Sequence, residues 1–279
     1  MRRSPRRGLR SAGARLATAL AFPASATAQA DAASLARLTL VERGVETGGA
    51  SWEQAVEGRG FDIGQQLRTG PEGVARLDLP WMALSVGPGS ELRFPDQPLL
   101  AVVVERGRVV LEARTHQALK LVTAEGEVRG LGRAIVRREG QRTVVTCVEG
   151  RFEVQARGRG VSLVPGSGTV VSSGRPPTTP ANAPPPPSEE SLWPGRDPVY
   201  TGRGEPLDLR WEATAPTYHL EVLPVGGDTV LLERDVGPPP VPLSLPWSGA
   251  FRWRVAARDE RGLEGVPSAE GLICVDLVD

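Results

Sequence analysis

With 279 residues the chain is long enough for about two domains and an ample core, so a single miniature fold is excluded. Hydrophobic residues at 40% and charged residues at 24% are ordinary globular values, while 33 glycines and 26 prolines without a Gly-X-Y period exclude collagen and favour a turn-rich β protein. The formal charge is zero, from 33 Lys plus Arg against 33 Asp plus Glu, and Lys120 is the single lysine.

Residues 1–30 read as a cleaved export signal. Arg2, Arg3, Arg6, Arg7, Arg10 and Arg15 form a basic lead, Leu16 to Phe22 a short apolar stretch, and Ala28-Gln29-Ala30 the small-x-small pattern of a cleavage site. That stretch is far below the ~20 residues that cross a bilayer, so no membrane span is expected. No cysteine lies near the cleavage point to take a lipid anchor, and Arg6-Arg7 leaves the general and twin-arginine routes both open. Cleavage removes six arginines and no acids, leaving 27 basic against 33 acidic residues, a net of −6. Nucleic acid is therefore not an expected partner. Arg59-Gly60, Arg157-Gly158-Arg159-Gly160 and Arg203-Gly204 read as hairpin turns rather than RNA-binding repeats.

Beyond the signal, the apolar period is two. Ala75, Leu77 and Leu79 alternate with Arg76 and Asp78; Phe152, Val154 and Ala156 alternate with Arg151, Glu153 and Gln155; Phe251, Trp253, Val255 and Ala257 alternate with arginines and Ala256. Leu99 to Val104 and Val144 to Val148 are apolar at consecutive positions and suit strands covered on both faces. Turn signals recur between them at Thr69-Gly70-Pro71-Glu72-Gly73, Val86-Gly87-Pro88-Gly89-Ser90, Glu139-Gly140, Glu149-Gly150 and Pro165-Gly166. No long 3.6-residue stripe competes, and the predicted class is all-β. From Ser172 to Arg196 eight of 25 residues are proline, a composition that predicts an extended, semi-rigid spacer. Two domains are expected around it, residues 34–171 and 199–279, with 172–198 as the linker.

The first domain resembles the FecR family, named for iron-transport regulators whose periplasmic part receives a signal from an outer-membrane receptor. The resemblance rests on Gly64-Gln65-Gln66-Leu67-Arg68-Thr69-Gly70-Pro71-Glu72-Gly73 and the strand to Leu79, on Leu84-Ser85-Val86-Gly87-Pro88-Gly89-Ser90-Glu91-Leu92, on Leu99 to Leu111 around Arg106-Gly107-Arg108, and on Thr143 to Val154. It implies a β-sandwich or jelly-roll-like fold. At Val128-Arg129-Gly130-Leu131-Gly132-Arg133-Ala134 the chain departs from the family's Gly-Thr-x-Phe step, and the aromatic core residue is missing from this stretch. Regulators of the family carry an anti-sigma segment and a membrane span before the shared domain; here a cleavable signal stands in that place, so direct control of a sigma factor is not expected.

The second domain resembles a fibronectin type III or related immunoglobulin-like sandwich. Leu207, Leu209 and Trp211 form one strand, Tyr218, Leu220 and Val222 the next, and Phe251 to Ala257 a later one; the turn Asp259 to Gly265 precedes a final strand, Leu272 to Leu277. Trp211 and Trp253 are expected in its core.

The chain carries little that reads as chemistry. His116 and His219 lie outside any metal spacing and read as surface histidines. Gly126, Gly130 and Gly132 are mis-spaced for a dinucleotide loop and read as turn glycines. Gly166-Ser167-Gly168 is too short for a nucleophile elbow, and the acidic residues show neither calcium-loop spacing nor a pair suited to acid-base work. Cys147 and Cys274 could form one bridge, but their apolar neighbours favour two unpaired buried thiols. No catalytic, cofactor or metal residue is nominated. The expectation is a non-catalytic protein of the periplasm or medium, a binding, scaffold or signal-receiving module whose partner is an envelope protein or cell-wall component. The alternative is an exported enzyme or small-ligand carrier with a site in the first β domain.

Overall fold

The computed structural model describes residues 35–49, 51–95, 101–114, 120–227 and 229–276. The expected export signal, Leu99, His116 and Leu277 lie outside the described residues. The fold is all-β, as the period of two predicts.

The first half begins with β1 (Ala36–Glu42), β2 (Val45–Gly48), β3 (Trp52–Gln54), β4 (Gly60–Phe61) and β5 (Gln66–Thr69). It continues with β6 (Val74–Leu79), β7 (Met82–Val86), β8 (Glu91–Arg93), β9 (Ala101–Ala113) and β10 (Lys120–Val122). β11 (Glu127–Glu139), β12 (Arg142–Ala156), β13 (Arg159–Leu163), β14 (Ser167–Ser172) and β15 (Ala181–Asn182) complete it. All fifteen belong to one folded-over sheet whose main path is β15-β14-β12-β11-β10-β9-β7-β6-β1-β4. Among the described residues β13 pairs β12 alone, and β3-β2-β5-β8 forms a side branch that joins the path at β9. The sheet wraps around Leu38, Leu67, Leu84, Leu92, Val104, Val136 and Phe152, each 0% exposed. Of the consecutive apolar run Val144 to Val148, expected to be covered on both faces, Val144 to Cys147 are buried and Val148 is half-buried.

The hairpin turns are set by backbone chemistry. Arg157-Gly158 joins the paired strands β12 and β13 with φ of 50° and 73°; Arg43-Gly44, with φ of 47° and 65°, instead turns the chain from β1 into β2, which pairs β3 and β5. Both residues of a two-residue loop of the type that follows strand twist need φ > 0, which only the glycine adopts freely. Gly130 and Gly132 differ from expectation: they lie inside β11, not in a turn. A Cβ on Gly130 would sit 2.5 Å from the Phe152 ring, and Gly132 (φ 110°) faces Gly150 beside a register shift at Arg133/Ala134. Phe152, on the neighbouring strand, thus fills the place left without an aromatic residue in β11.

The second half contains β16 (Val199–Thr201), β17 (Leu207–Leu209), β18 (Thr217–Pro224), β19 (Leu232–Val236), β20 (Val241–Leu243), β21 (Gly249–Arg258) and β22 (Gly271–Val275). A five-stranded sheet, β16-β22-β21-β18-β19, covers the pair β17-β20. Trp211, Tyr218, Trp253 and Phe251 fill the space between, with the Trp211 ring 5.2 Å from Tyr218 and 6.0 Å from Trp253. The Trp253 Nε1 donates to Pro194 O at 3.1 Å, so the buried indole keeps its hydrogen bond.

The proline-rich stretch, expected as a free spacer, is tied down along its length. Ala181–Asn182 adds to β14, Thr178 exchanges hydrogen bonds with Thr169 and Val170, and Trp193 and Arg210 pair as an isolated bridge. Proline has no N–H to offer a ladder but keeps its carbonyl. The stretch uses that carbonyl at Pro194, and at Pro184 its O lies 2.2 Å from where a Gly265 Cβ would stand. Ala33–Asp279 forms a single packed unit.

Candidate functional site

A strand with alternating apolar and polar residues is expected to keep its polar face wet. β18 does not: Tyr218, Leu220 and Val222 face the tryptophan core, and His219, Glu221 and Leu223 on its other face are buried as well. What covers them is the outer face of the first half, where β9 contributes Arg108 and Val110 and β11 contributes Ile135 and Arg137. The two outward faces pack on each other through charge.

Arg108 is the centre of this junction. Its Nε donates to Glu264 Oε2 at 3.1 Å and its Nη2 to Glu264 Oε1 at 2.7 Å; Nη1 donates to Glu233 Oε2 at 3.1 Å and Nη2 to Glu221 Oε1 at 3.2 Å. The four side chains are between 2% and 6% exposed. Arg137 donates to Asp235 at 2.7 and 3.1 Å and to Glu264 Oε2 at 3.1 Å, and Arg254 donates to Glu221 Oε2 at 2.6 Å. β18 and β19 supply Glu221 and Glu233 as cross-strand partners, and His219 stands opposite Asp235 in the same register. Gly87 makes the approach possible: a Cβ there would lie 1.8 Å from Glu233 Oε1.

His219 is not a surface residue as expected but 3% exposed, because the face it occupies is an interface. Its Nδ1 lies 3.0 Å from Asp235 Oδ1, and its Nε2 is 3.4 Å from Glu233 Oε2 and 3.7 Å from Glu221 Oε1. Burial and the Arg108 guanidinium push the imidazole down, but Glu264, Asp235 and Glu233 outweigh them and its pKa is pushed up to about 9. Burial pushes the Glu264 and Asp235 carboxyls up; Arg108, His219 and Arg137 around Glu264, and His219, Arg137 and Arg258 around Asp235, hold them well below the usual carboxylate range. Glu221 is likewise lowered by Arg108 and Arg254 against its burial. With the imidazole protonated, Arg108, Arg137, His219, Arg254 and Arg258 are matched by Glu139, Glu221, Glu233, Asp235 and Glu264.

His219, Glu221 and Glu233 bring potential metal-ligand atoms within 4.8 Å of one another. Glu221 Oε1 and Glu233 Oε2 already accept from Arg108, and a divalent ion would meet that guanidinium at close range. The set fits a protonated imidazole among carboxylates, and it does not fit a metal.

Where the two faces diverge, next to the clamp, a cleft of about 420 Å³ opens. Its walls carry Val86 and Val110 from one half and Leu223 and Val230 from the other, with Arg76, Arg133 and Arg254 among them. Among the other residues singled out in the sequence, Cys147 and Cys274 are both free thiols; Cys147 is buried, and burial pushes its thiol up, but Cys274 is half-buried rather than buried. Trp211 and Trp253 are in the core. Arg108, Arg137, Glu233, Asp235 and Glu264 were given no functional role in the sequence, where Arg108 entered only as part of the Arg106-Gly107-Arg108 segment of the family resemblance. The available signal was weak: polar residues on two strands whose other faces are strongly apolar, which reads equally as a wet surface.

No family model matches the chain, and no curated protein matches it. Among solved structures, crystal structures of a candidate anti-sigma factor from Parabacteroides distasonis ATCC 8503, at 1.65 and 2.50 Å resolution, are similar at 17% identity with a TM-score of 0.37, over 42% of this chain and 59% of the length of that one.

Proposed function

We propose that the chain is a non-catalytic binding module of the cell envelope, a FecR-like domain carrying an immunoglobulin-like one, held as a rigid pair. The observation that supports this most is the use made of its titratable groups. The strongly perturbed ones among the described residues, His219, Asp235, Glu264 and Arg108, are paired with one another between two sheets, where they act as a joint. A reacting group must reach substrate, and these reach each other.

A joint of this kind fixes the surfaces on either side for docking. One open backbone edge is the outer edge of β13, which among the described residues pairs β12 alone. Beside it lies a groove lined by Leu131, Arg151, Phe152 and Val161. An extended protein segment added to that edge would complete the sheet, and its side chains would enter the groove. Export is part of the same reading and rests on the basic lead and Ala28-Gln29-Ala30.

The test is crosslinking in the producing cell with a photoreactive residue at Ser162 on β13, against the same residue at Glu212 in the second half. One discrete protein adduct from position 162 and none from 212 is expected, with a mature N-terminus at Asp31 by mass analysis. An adduct from 212 alone would move the contact to the second half, and substrate turnover by the purified chain would overturn the reading.

A further inference from the structure

We propose that the cleft between the two halves binds a small organic monoanion with an apolar body, its acid group held by Arg133. Arg76 donates to Glu112 at 3.0 Å, Arg254 to Glu221 at 2.6 Å, and Arg108 to Glu233 at 3.1 Å. Every acid among the described lining residues is thereby paired. Arg133 stands opposite Glu112 in the β9–β11 register and opposite the exposed Glu149 in the β11–β12 register, and it makes no ion pair with either or with another described residue.

The cleft therefore carries one positive charge beyond its acids, on a half-buried side chain with restricted access to water. A guanidinium presents two parallel N–H donors, which match a carboxylate, sulfonate or phosphate oxygen pair. One positive charge in excess over the acids of the described lining matches a monoanion, and among those lining residues a cation would find no free carboxylate. Beside the paired charges the wall has an aliphatic part, to which Val86, Val110, Leu223 and Val230 contribute. The volume of about 420 Å³ lies within the range of small-molecule sites, which form preferentially where two packed bodies meet. An acid group at Arg133 with a hydrocarbon or aromatic body against these valines satisfies both parts of the wall.

This site is independent of partner docking at β13, and its failure leaves that reading untouched. The test uses the full chain and two fluorescent probes of similar shape, the monoanion anilinonaphthalene sulfonate and the neutral phenylnaphthylamine. Saturable binding of one anionic probe per chain is expected, weakened about tenfold by R133Q and less by R133K, with the neutral probe's affinity unchanged by either. L223W, which fills the cleft, should abolish saturable binding of both probes while circular dichroism shows the fold retained. Absence of saturable binding to the wild-type chain, unchanged anionic binding by R133Q, an equal loss of both probes on R133Q, or retained binding by folded L223W would each overturn the proposal.

Discussion

Arg108 and Glu264 stand 156 residues apart in the chain and share a two-point contact, Nε to Oε2 at 3.1 Å and Nη2 to Oε1 at 2.7 Å, with both side chains almost sealed from solvent. Taking two charges out of water costs several kcal/mol each, so such a pair is no guarantee of stability over an apolar replacement. It does guarantee that the partners depend on each other. Arg108 also holds Glu221 and Glu233, and its loss would strand three buried carboxylates at once.

Arg108→Met should therefore destabilise the fold by about 3 to 5 kcal/mol, and Glu264→Gln by less, because Arg108 keeps two other acids. The double variant should cost less than the sum of the two, since the residues share one contact. Urea unfolding of the full chain measures all three. A cost below about 1 kcal/mol for Arg108→Met would mean that water reaches the junction.

The same junction shows what was legible in the sequence and what was not. Strand alternation at Ala75 to Leu79, Phe152 to Ala156 and Phe251 to Ala257 was enough to predict the class, and the turn at Arg157-Gly158 follows from the need for positive φ. His219 was misplaced because alternation records which residues avoid the nearer core, and it is silent on what a second sheet does with the opposite face. Tyr218-His219-Leu220-Glu221-Val222 has the same pattern whether its polar face meets water or Arg108. Pairings over more than a hundred residues leave no local signal. The proline-rich stretch misleads for a related reason: its composition predicts an extended spacer, but Glu189–Ser191 coils into a 3-10 turn, and a proline carbonyl and the short segment Ala181–Asn182 find partners.

Gly87 reads as one of several turn glycines, yet its φ is not among the positive ones; its role is the close approach of Glu233. Gly87→Ala should push the Glu233 carboxylate off Arg108 and cost about 1 to 3 kcal/mol. The comparison that isolates the cause is Gly87→Ala in a Glu233→Ala background, where the methyl group has space and the added cost should fall below about 0.5 kcal/mol. An undiminished cost there would place the strain in the backbone of the Val86 to Ser90 turn.

Cutting the chain in its proline-rich stretch should not free the halves. The buried ion pairs and the packing of Arg43 over the Trp247 ring, 4.5 Å from its centroid, hold them without help from the covalent connection. A protease site inserted between Pro185 and Pro186, once cleaved, should leave two fragments that co-elute on size exclusion. The same cleavage in the Arg108→Met chain should let them separate. Immediate separation of the wild-type fragments would show that the linker, and not the junction, keeps the halves together.

The stability of the junction should also follow pH in a direction that the proton on His219 fixes. Its folded pKa of about 9 lies above the ordinary 6.5, so the folded state binds the proton more tightly than the unfolded chain does. The stabilisation is fully present below about pH 6.5 and is lost as pH rises through about 9. On the acid side Glu264, Asp235 and Glu221 are held below their ordinary values, so their contribution is present above about pH 4.5 and is lost as pH falls further. Unfolding free energy should thus form a plateau between about pH 5 and 6.5 and fall on both sides. The alkaline limb belongs to His219, flanked by Asp235, Glu233 and Glu221 with Arg108 nearby, and His219→Gln should flatten it while leaving the acid limb in place. Urea midpoints from pH 4 to 9.5 read both limbs. An alkaline limb that survives His219→Gln would assign the proton to another group, and a wild-type chain as stable at pH 9.5 as at 6 would mean that the imidazole is neutral in the fold.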